Sequence, residues 1–388
     1  MKTMKLIATM MTLSMLAAAF AGCLGGDDDD ETTTVKIGFL NPITGPLEPN
    51  APVFKWSADQ AIADLEEMYP DYDFELIEQD SGCDGAVAGP AAQTLVDSGV
   101  YAVVGAACSG ASMAANGVLS AAGIPMISYA STNPGLSDAS AYPMFYRNVP
   151  SDAIQGPAGA DMMTDAGVAE GALAVFGMTN DYGAGLADAV VDAWGSDKLC
   201  DVGRYDYAET DTDFSAIADQ MKNSADCTAV YLSSYIADAA LIIEALNDAE
   251  WDGHIFGGDG PAGEGMYAEM EDDSLLNGMT VTQPRAGSSA GDFSARYDAN
   301  APSGGIKAYD LTTYDGVMMV GMAAVSNMDD ADASIMATGS GYAGSSGVIN
   351  FLDNGDIGGN GYDICSYDGV DQYTCSKYWT AEGGVATA

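Results

Sequence analysis

Two stretches of small and hydroxylated residues, Gly105-Ala106-Ala107-Cys108-Ser109 and Ala130-Ser131-Thr132-Asn133-Pro134, each follow a short apolar run. Hydroxyls beside the free N–H groups of a helix start suit an anion such as a carboxylate. Farther along, Tyr182, Tyr235 and Asp259 also stand just after apolar runs, at 172–176, 229–232 and 254–256. An acid flanked by tyrosines suits an ammonium group. Each residue has a plainer reading when taken alone. Ser109 and Ser112 read as helix caps, Ser131 and Thr132 as a turn, Asp259 as a turn acid between glycines, and the tyrosines as packing. Recurrence at successive strand ends favours the joint reading: two walls, one for each end of an α-amino acid.

The elements that must hold these residues follow from hydrophobic patterning. Runs at 35–40, 74–79, 101–104 and 124–128 read as buried parallel strands. Helices over 51–68, over 86–98 and from about Ser109 alternate with them. The 51–68 helix has Val53, Trp56, Ile62 and Leu65 on its apolar side. Phe145-Tyr146-Arg147-Asn148-Val149-Pro150 interrupts the pattern, and Ser151-Asp152 opens a helix to about Ala166. Strands over 172–176, 201–207, 229–232 and 254–256 then alternate with helices over 186–194, 214–221 and 237–246. The fold class is therefore α/β, two doubly wound, Rossmann-like lobes in series with a cleft between them, where ligands sit at strand carboxyl ends. The segment 279–284 crosses back to the first lobe, a helix over 311–327 packs there, and the chain after 347 reads as a hairpin-rich terminal segment.

Composition removes several function classes. The chain has 388 residues, enough for two cores, and 48% hydrophobic residues. Its 12 Lys+Arg against 57 Asp+Glu leave a net charge of −45, which repels nucleic acid and anionic lipid. A salt-adapted surface is one reading of this acidity; equal stability in low and molar salt would exclude it. The single histidine, His254, lies at a strand start, and the sequence shows no Ser/His/Asp set, GxSxG elbow or P-loop. No enzyme, cofactor or metal is expected. Asp353-Asn354-Gly355-Asp356 lacks the later Glu of a calcium loop and reads as a hairpin turn.

The N-terminus reads as a targeting segment: Lys2 and Lys5 precede an apolar run to Phe20, then Ala21-Gly22-Cys23. Small residues before a cysteine resemble the lipobox of prokaryotic lipoproteins, which makes Cys23 the lipidated residue. An acidic tether, with Asp27 to Asp30, follows it. Six of the seven cysteines remain. Their order suggests the local pairs Cys83–Cys108, Cys200–Cys227 and Cys365–Cys375, although order alone leaves connectivity open.

The segments VKIGFLNPITGPL, DSGCDG, VVGAACSGA, IPMISYAST, RNVPSDAIQG, NDYGAGLADA, YLSSYIADAA, FGGDG and SSGVINFLDNGD occur in an order and spacing that resemble one family. It is the periplasmic-type solute-binding proteins of ABC importers, in the leucine/isoleucine/valine-binding (amino-acid/amide) group. The resemblance implies two lobes joined by three crossings. It divides the chain into a leader (1–22), Cys23 and tether (23–34), first lobe (35–149), second lobe (150–282), a return to the first (283–350) and a last second-lobe segment (351–388). It also implies that Ser109, Ala130 and Thr132, with Ser131 in the same loop, hold a ligand carboxylate. Tyr182 and Tyr235 lie against the ligand, and Asp259 takes its amino group. Phe54 and Trp56, in the segment 47–56, are candidates for the side-chain pocket. The family disulfide falls on Cys83–Cys108. The implied partners are an apolar, branched-chain or related amino acid and a membrane ABC permease. The protein is then a monomer on the outer face of the cell membrane. Urea, an amide or an aromatic acid is the alternative ligand class, and sensing without transport the alternative role.

Overall fold

The computed structural model describes residues 32–287, 289, 291–370 and 372–388. The leader, Cys23 and most of the tether lie outside the described residues. The first sheet has five parallel strands, β1 (Thr33–Asn41), β2 (Tyr72–Asp80), β3 (Ala102–Val104), β4 (Met126–Ser128) and β5 (Phe145–Arg147), in the order β2-β1-β3-β4-β5. Helices α1 (Ala51–Met68), α2 (Gly85–Asp97) and α3 (Ser109–Ala121) connect them. Strands β1, β3 and β4 are covered on both faces, which is why they read as unbroken apolar runs.

Helix α4 (Asp152–Asp165) leads into the second sheet. There β6 (Leu173–Met178), β7 (Leu199–Tyr207), β8 (Ala229–Ser233), β9 (His254–Gly257) and β10 (Thr280–Pro284) run parallel, with α5 (Asp181–Trp194), α6 (Ser215–Asn223), α7 (Ile236–Asp248) and the short α8 (Gly265–Glu269) between them. The chain returns to the first core through α9 (Phe293–Asn300), α10 (Lys307–Ser326), α11 (Ala331–Thr338) and the hairpin β11 (Ser340–Ala343)–β12 (Val348–Asn350). Helix α10 packs on α1 and on β1 and β3. The last three strands, β13 (Tyr362–Tyr367), β14 (Tyr373–Thr380) and β15 (Gly384–Thr387), extend the second sheet antiparallel from β10. The architecture is α/β with two mostly parallel sheets and two separate apolar cores. No helix among the described residues is long and apolar enough to cross a membrane.

Disulfides join Cys83–Cys108, Cys200–Cys227 and Cys365–Cys375. The first ties the exit of β2 to the start of α3, two segments that border the cleft.

Four local expectations are corrected. The segment 279–284 does not cross back to the first lobe: Thr280–Pro284 is β10, a strand inside the second sheet between β9 and β13. Cys108, not Ser109 or Ser112, is the N-cap of α3, and it makes no side-chain cap bond. The Ser112 hydroxyl turns to the main chain of Ala106 (3.1 Å) and to Ser131 Oγ (2.8 Å), partners that a local sequence reading cannot see. Helix α5 begins five residues before the predicted start at 186, because Asn180 caps it by accepting from Gly183 N at 2.8 Å. Helix α10 begins at Lys307, four residues before the predicted start.

Candidate functional site

The cleft between the sheets holds a small cavity of about 30 Å³. Its first-sheet wall comes from Ala107, Cys108 and Ser109 at the start of α3 and from Ala130 after β4. Leu47, Phe54 of α1, Ile306 and Tyr309 of α10 add an apolar flank. The opposite wall comes from Tyr182 in the first turn of α5, Tyr235 at the N-cap of α7, and Asp259 and Gly260 after β9.

On the first wall, groups are held from behind. Ser109 Oγ accepts from Asn133 N at 3.2 Å, so its own proton remains to donate forward. Ser131 Oγ bonds to Ser112 and to the carbonyls of Ala106 and Ala107 (3.1 Å each). Ser131 therefore supports the loop and does not line the cavity. Thr132 is fully buried behind the cavity lining; its hydroxyl has no hydrogen-bond partner, while its carbonyl accepts from Asp152 N at 2.8 Å. The α3 N-terminus adds its positive dipole end to this wall.

The second wall carries the charge. Asp259 is 3% exposed. Its Oδ1 accepts from the Tyr182 hydroxyl at 2.9 Å, and its Oδ2 accepts from the Tyr309 hydroxyl, which reaches across from the first-core helix α10. The Tyr182 hydroxyl in turn accepts from Gly260 N at 2.9 Å. A Cβ at Gly260 would stand 2.1 Å from the Ser234 carbonyl oxygen and 2.7 Å from that hydroxyl, so only glycine permits this approach. Tyr182 and Tyr235 stack with centroids 5.0 Å apart. The Tyr235 hydroxyl lies 3.7 Å from Cys83 Sγ, across the cleft on the first-sheet side.

Burial sets the electrostatics. It pushes the Asp259 carboxyl up from its ordinary range, while the Tyr309 and Tyr182 hydroxyls oppose the rise. It also pushes the hydroxyls of Tyr182, Tyr235 and Tyr309 well above the usual phenol range, with the Asp259 charge adding to the effect. All three phenols therefore remain neutral donors at physiological pH. A second acid, Asp152 at the start of α4, is fully buried, and neither of its oxygens has a hydrogen-bond partner. Burial first and the Asp259 charge second push its carboxyl well up. The Thr132 hydroxyl, close by but outside hydrogen-bonding geometry, and the Arg147 guanidinium oppose this.

Of the residues predicted from sequence, Ser109, Ala130, Tyr182, Tyr235, Asp259 and Phe54 border one cavity. Trp56 does not: its ring stacks on Phe293 of α9 at 5.7 Å, on the other flank of α1. Asp152, Ile306 and Tyr309 were not anticipated. Asp152 reads as an ordinary helix-start acid, and Tyr309 lies upstream of the predicted helix. No local signal marks either of them.

Residues 34–354 match the family described as periplasmic binding protein. The chain is 25% identical over 344 residues to Leu/Ile/Val-binding protein homolog 3 of Brucella melitensis, covering 86% of this chain and 91% of the relative. It is 27% identical over 277 residues to the leucine-, isoleucine-, valine-, threonine- and alanine-binding protein of Pseudomonas aeruginosa, covering 71% and 73%. Among solved structures, the branched-chain amino acid transporter substrate-binding protein LivJ of Streptococcus pneumoniae, in complex with isoleucine, superposes with a TM-score of 0.77 at 22% identity. That superposition covers 92% of this chain and 99% of the other. The family match spans most of the described residues, and the chain belongs to the periplasmic binding proteins, which bind solutes and are not enzymes.

Proposed function

We propose that this protein captures an α-amino acid with an apolar, branched-chain side chain outside the cytoplasm and passes it to a membrane ABC permease. The observation that carries this reading is that Ser109, at the N-terminus of α3, and Asp259 border the same buried cavity from opposite walls. In this reading Ser109 and the Ala130–Thr132 loop take the carboxylate. Asp259, with Asp152 behind it, takes the ammonium, and Leu47, Phe54 and Ile306 receive the side chain. The isoleucine complex of the Streptococcus protein and the names of the two relatives support this ligand class. Two or three charge-assisted hydrogen bonds at each end, at roughly 1.5–3 kcal/mol each, are enough for micromolar affinity. The proposal includes lipid attachment at Cys23, a monomeric protein, and closure of two lobes on the ligand.

Calorimetric titration with the twenty amino acids, urea, acetamide and benzoate tests the ligand class. Saturable binding of a few apolar amino acids is the expected result. Binding of only urea, the amide or benzoate would overturn the ammonium role of Asp259. Uptake of the winning ligand by cells carrying the cognate permease, lost on deletion of this protein, separates transport from sensing. Metabolic labelling with palmitate, lost in Cys23→Ala, tests the anchor.

A further inference from the structure

Two features of the sequence take no part in the ligand cavity: Arg147, in the segment that breaks the first strand–helix alternation, and the Asp353–Asp356 turn. The fold brings them together. Arg147 is fully buried, and its Nε donates to Asp356 Oδ1 at 2.6 Å. Its Nη1 donates to the carbonyls of Asn133 at 2.9 Å and Ser131 at 3.4 Å, and its Nη2 donates to Ser137 Oγ at 2.7 Å. The main chains meet as well, with Arg147 N donating to the Gly355 carbonyl at 3.1 Å. Gly355 has φ +85°, and a Cβ there would stand 2.1 Å from the Phe145 carbonyl oxygen, so the turn lies directly on β5.

The turn belongs to the segment that carries the chain from β12, in the first core, to β13, in the second sheet. One guanidinium thus bonds both to a crossing between the lobes and to the loop that lies behind the cavity. We propose that the Arg147–Asp356 pair is a positioning device that couples this crossing to ligand capture. In a trans peptide the C=O and the following N–H point in opposite directions. Arg147 holds the Ser131 carbonyl, and so fixes the Thr132 N–H away from itself. The next peptide is held at both ends: the Thr132 carbonyl accepts from Asp152 N, and Asn133 N donates to Ser109 Oγ. The orientation of Ser109 and of the Thr132 N–H therefore depends on a side chain that touches no ligand. Asp356 holds that side chain in place, in the manner of an outer-shell partner. A shift of the crossing moves Asp356, and Arg147 transmits the shift to the loop.

This inference rests on the ligand reading above, and its test separates the two. Arg147→Lys keeps the charge but loses the fork, and Asp356→Asn loses the charge. Each should weaken amino-acid binding about 10- to 100-fold, mainly through faster release, and Asp356→Glu should recover part of the loss. Asp315→Asn is the control. It removes a buried acid that holds the main chain of Ser345 and Ser346, away from the loop, and should lower Tm with Kd unchanged. Should a single variant fail to fold, the double variant Arg147→Met/Asp356→Leu leaves no buried charge unpaired and must still lose affinity. Wild-type Kd in these variants, measured well below their melting temperatures, would make the pair purely structural and overturn the proposal. If the wild-type protein binds no amino acid, the ligand reading fails instead. Amide hydrogen exchange at residues 131–133 then judges the coupling in the ligand-free protein. Faster exchange in Asp356→Asn sustains it, and unchanged exchange refutes it.

Discussion

On the first-sheet side of the cleft, the polar groups beside the apolar flank of Leu47, Phe54 and Ile306 are main chain and the short Ser109 hydroxyl, held from behind by another part of the fold, with Tyr309 reaching over to Asp259. On the second-sheet side it meets Tyr182, Tyr235 and Asp259, long or charged side chains that hold one another. The first wall is fixed through the backbone and changes little when one side chain is removed. The second wall concentrates its electrostatics in one buried carboxylate, with Asp152 behind it. The two ends of a zwitterion are therefore held by different physics. The carboxylate meets preorganised dipoles, and the ammonium meets a charge that is costly to bury while unpaired.

The largest expected effect lies on the second wall. Asp259→Ala should weaken amino-acid binding by about a hundredfold or more in calorimetry, since truncating one partner of a buried charge pair costs several kcal/mol. Ser109→Ala should cost about tenfold, one hydroxyl hydrogen bond, because the α3 main-chain dipoles remain. Equal losses in the two variants would abolish the contrast between the walls.

A third prediction concerns stability. Burial pushes the Asp310 carboxyl, on α10 in the first core, up to about 8, and pushes Asp238, on α7 in the second, up to about 6. A raised carboxyl pKa means that the folded state holds the proton to higher pH than the unfolded chain does. Stability from such a group is greatest near pH 4 and falls as pH rises through the folded value, by up to about 1.4 kcal/mol per pH unit. Thermal unfolding should therefore show the protein losing stability between pH 6 and 8 through Asp310. Asp310→Asn should flatten that loss, whereas Asp238→Asn should change the pH slope only between about pH 4 and 6. A wild-type pH slope retained in Asp310→Asn would contradict this assignment.

The smallest effect sharpens the comparison at its centre. Asp259 must be ionised to take an ammonium, so affinity should fall as pH drops through its raised pKa. Tyr309→Phe removes a donor that favours the ionised form. The decline in affinity should then begin at higher pH, with only a few-fold loss at pH 8. Identical pH profiles for wild type and Tyr309→Phe would remove Tyr309 from the site.

The alternation of strands and helices was legible because strands covered on both faces must be apolar runs, and the loops after them are where a doubly wound sheet presents its ligand groups. That logic led to Ser109, Tyr182, Tyr235 and Asp259, and the family resemblance added Ala130. It misjudged Trp56 because Phe54 and Trp56 are two residues apart on a helix, about 200° around its axis, so both cannot face the cleft. It missed Tyr309 and Asp152 because each acquires its role from a partner distant in sequence, 50 residues away for Tyr309 and Asp259. It read Ser112 as a cap because a serine near a helix start usually is one. Here Ala106 and Ser131 claim the hydroxyl.

The central claim is that one cavity holds both charged ends of one ligand. The most direct measurement is a calorimetric comparison of leucine with two trimmed relatives, 3-methylbutylamine, which lacks the carboxylate, and 4-methylpentanoate, which lacks the ammonium. The account predicts saturable micromolar binding of leucine and no measurable binding of either relative. Binding of 4-methylpentanoate as tightly as leucine would show that Asp259 does not receive an ammonium, and would contradict the account.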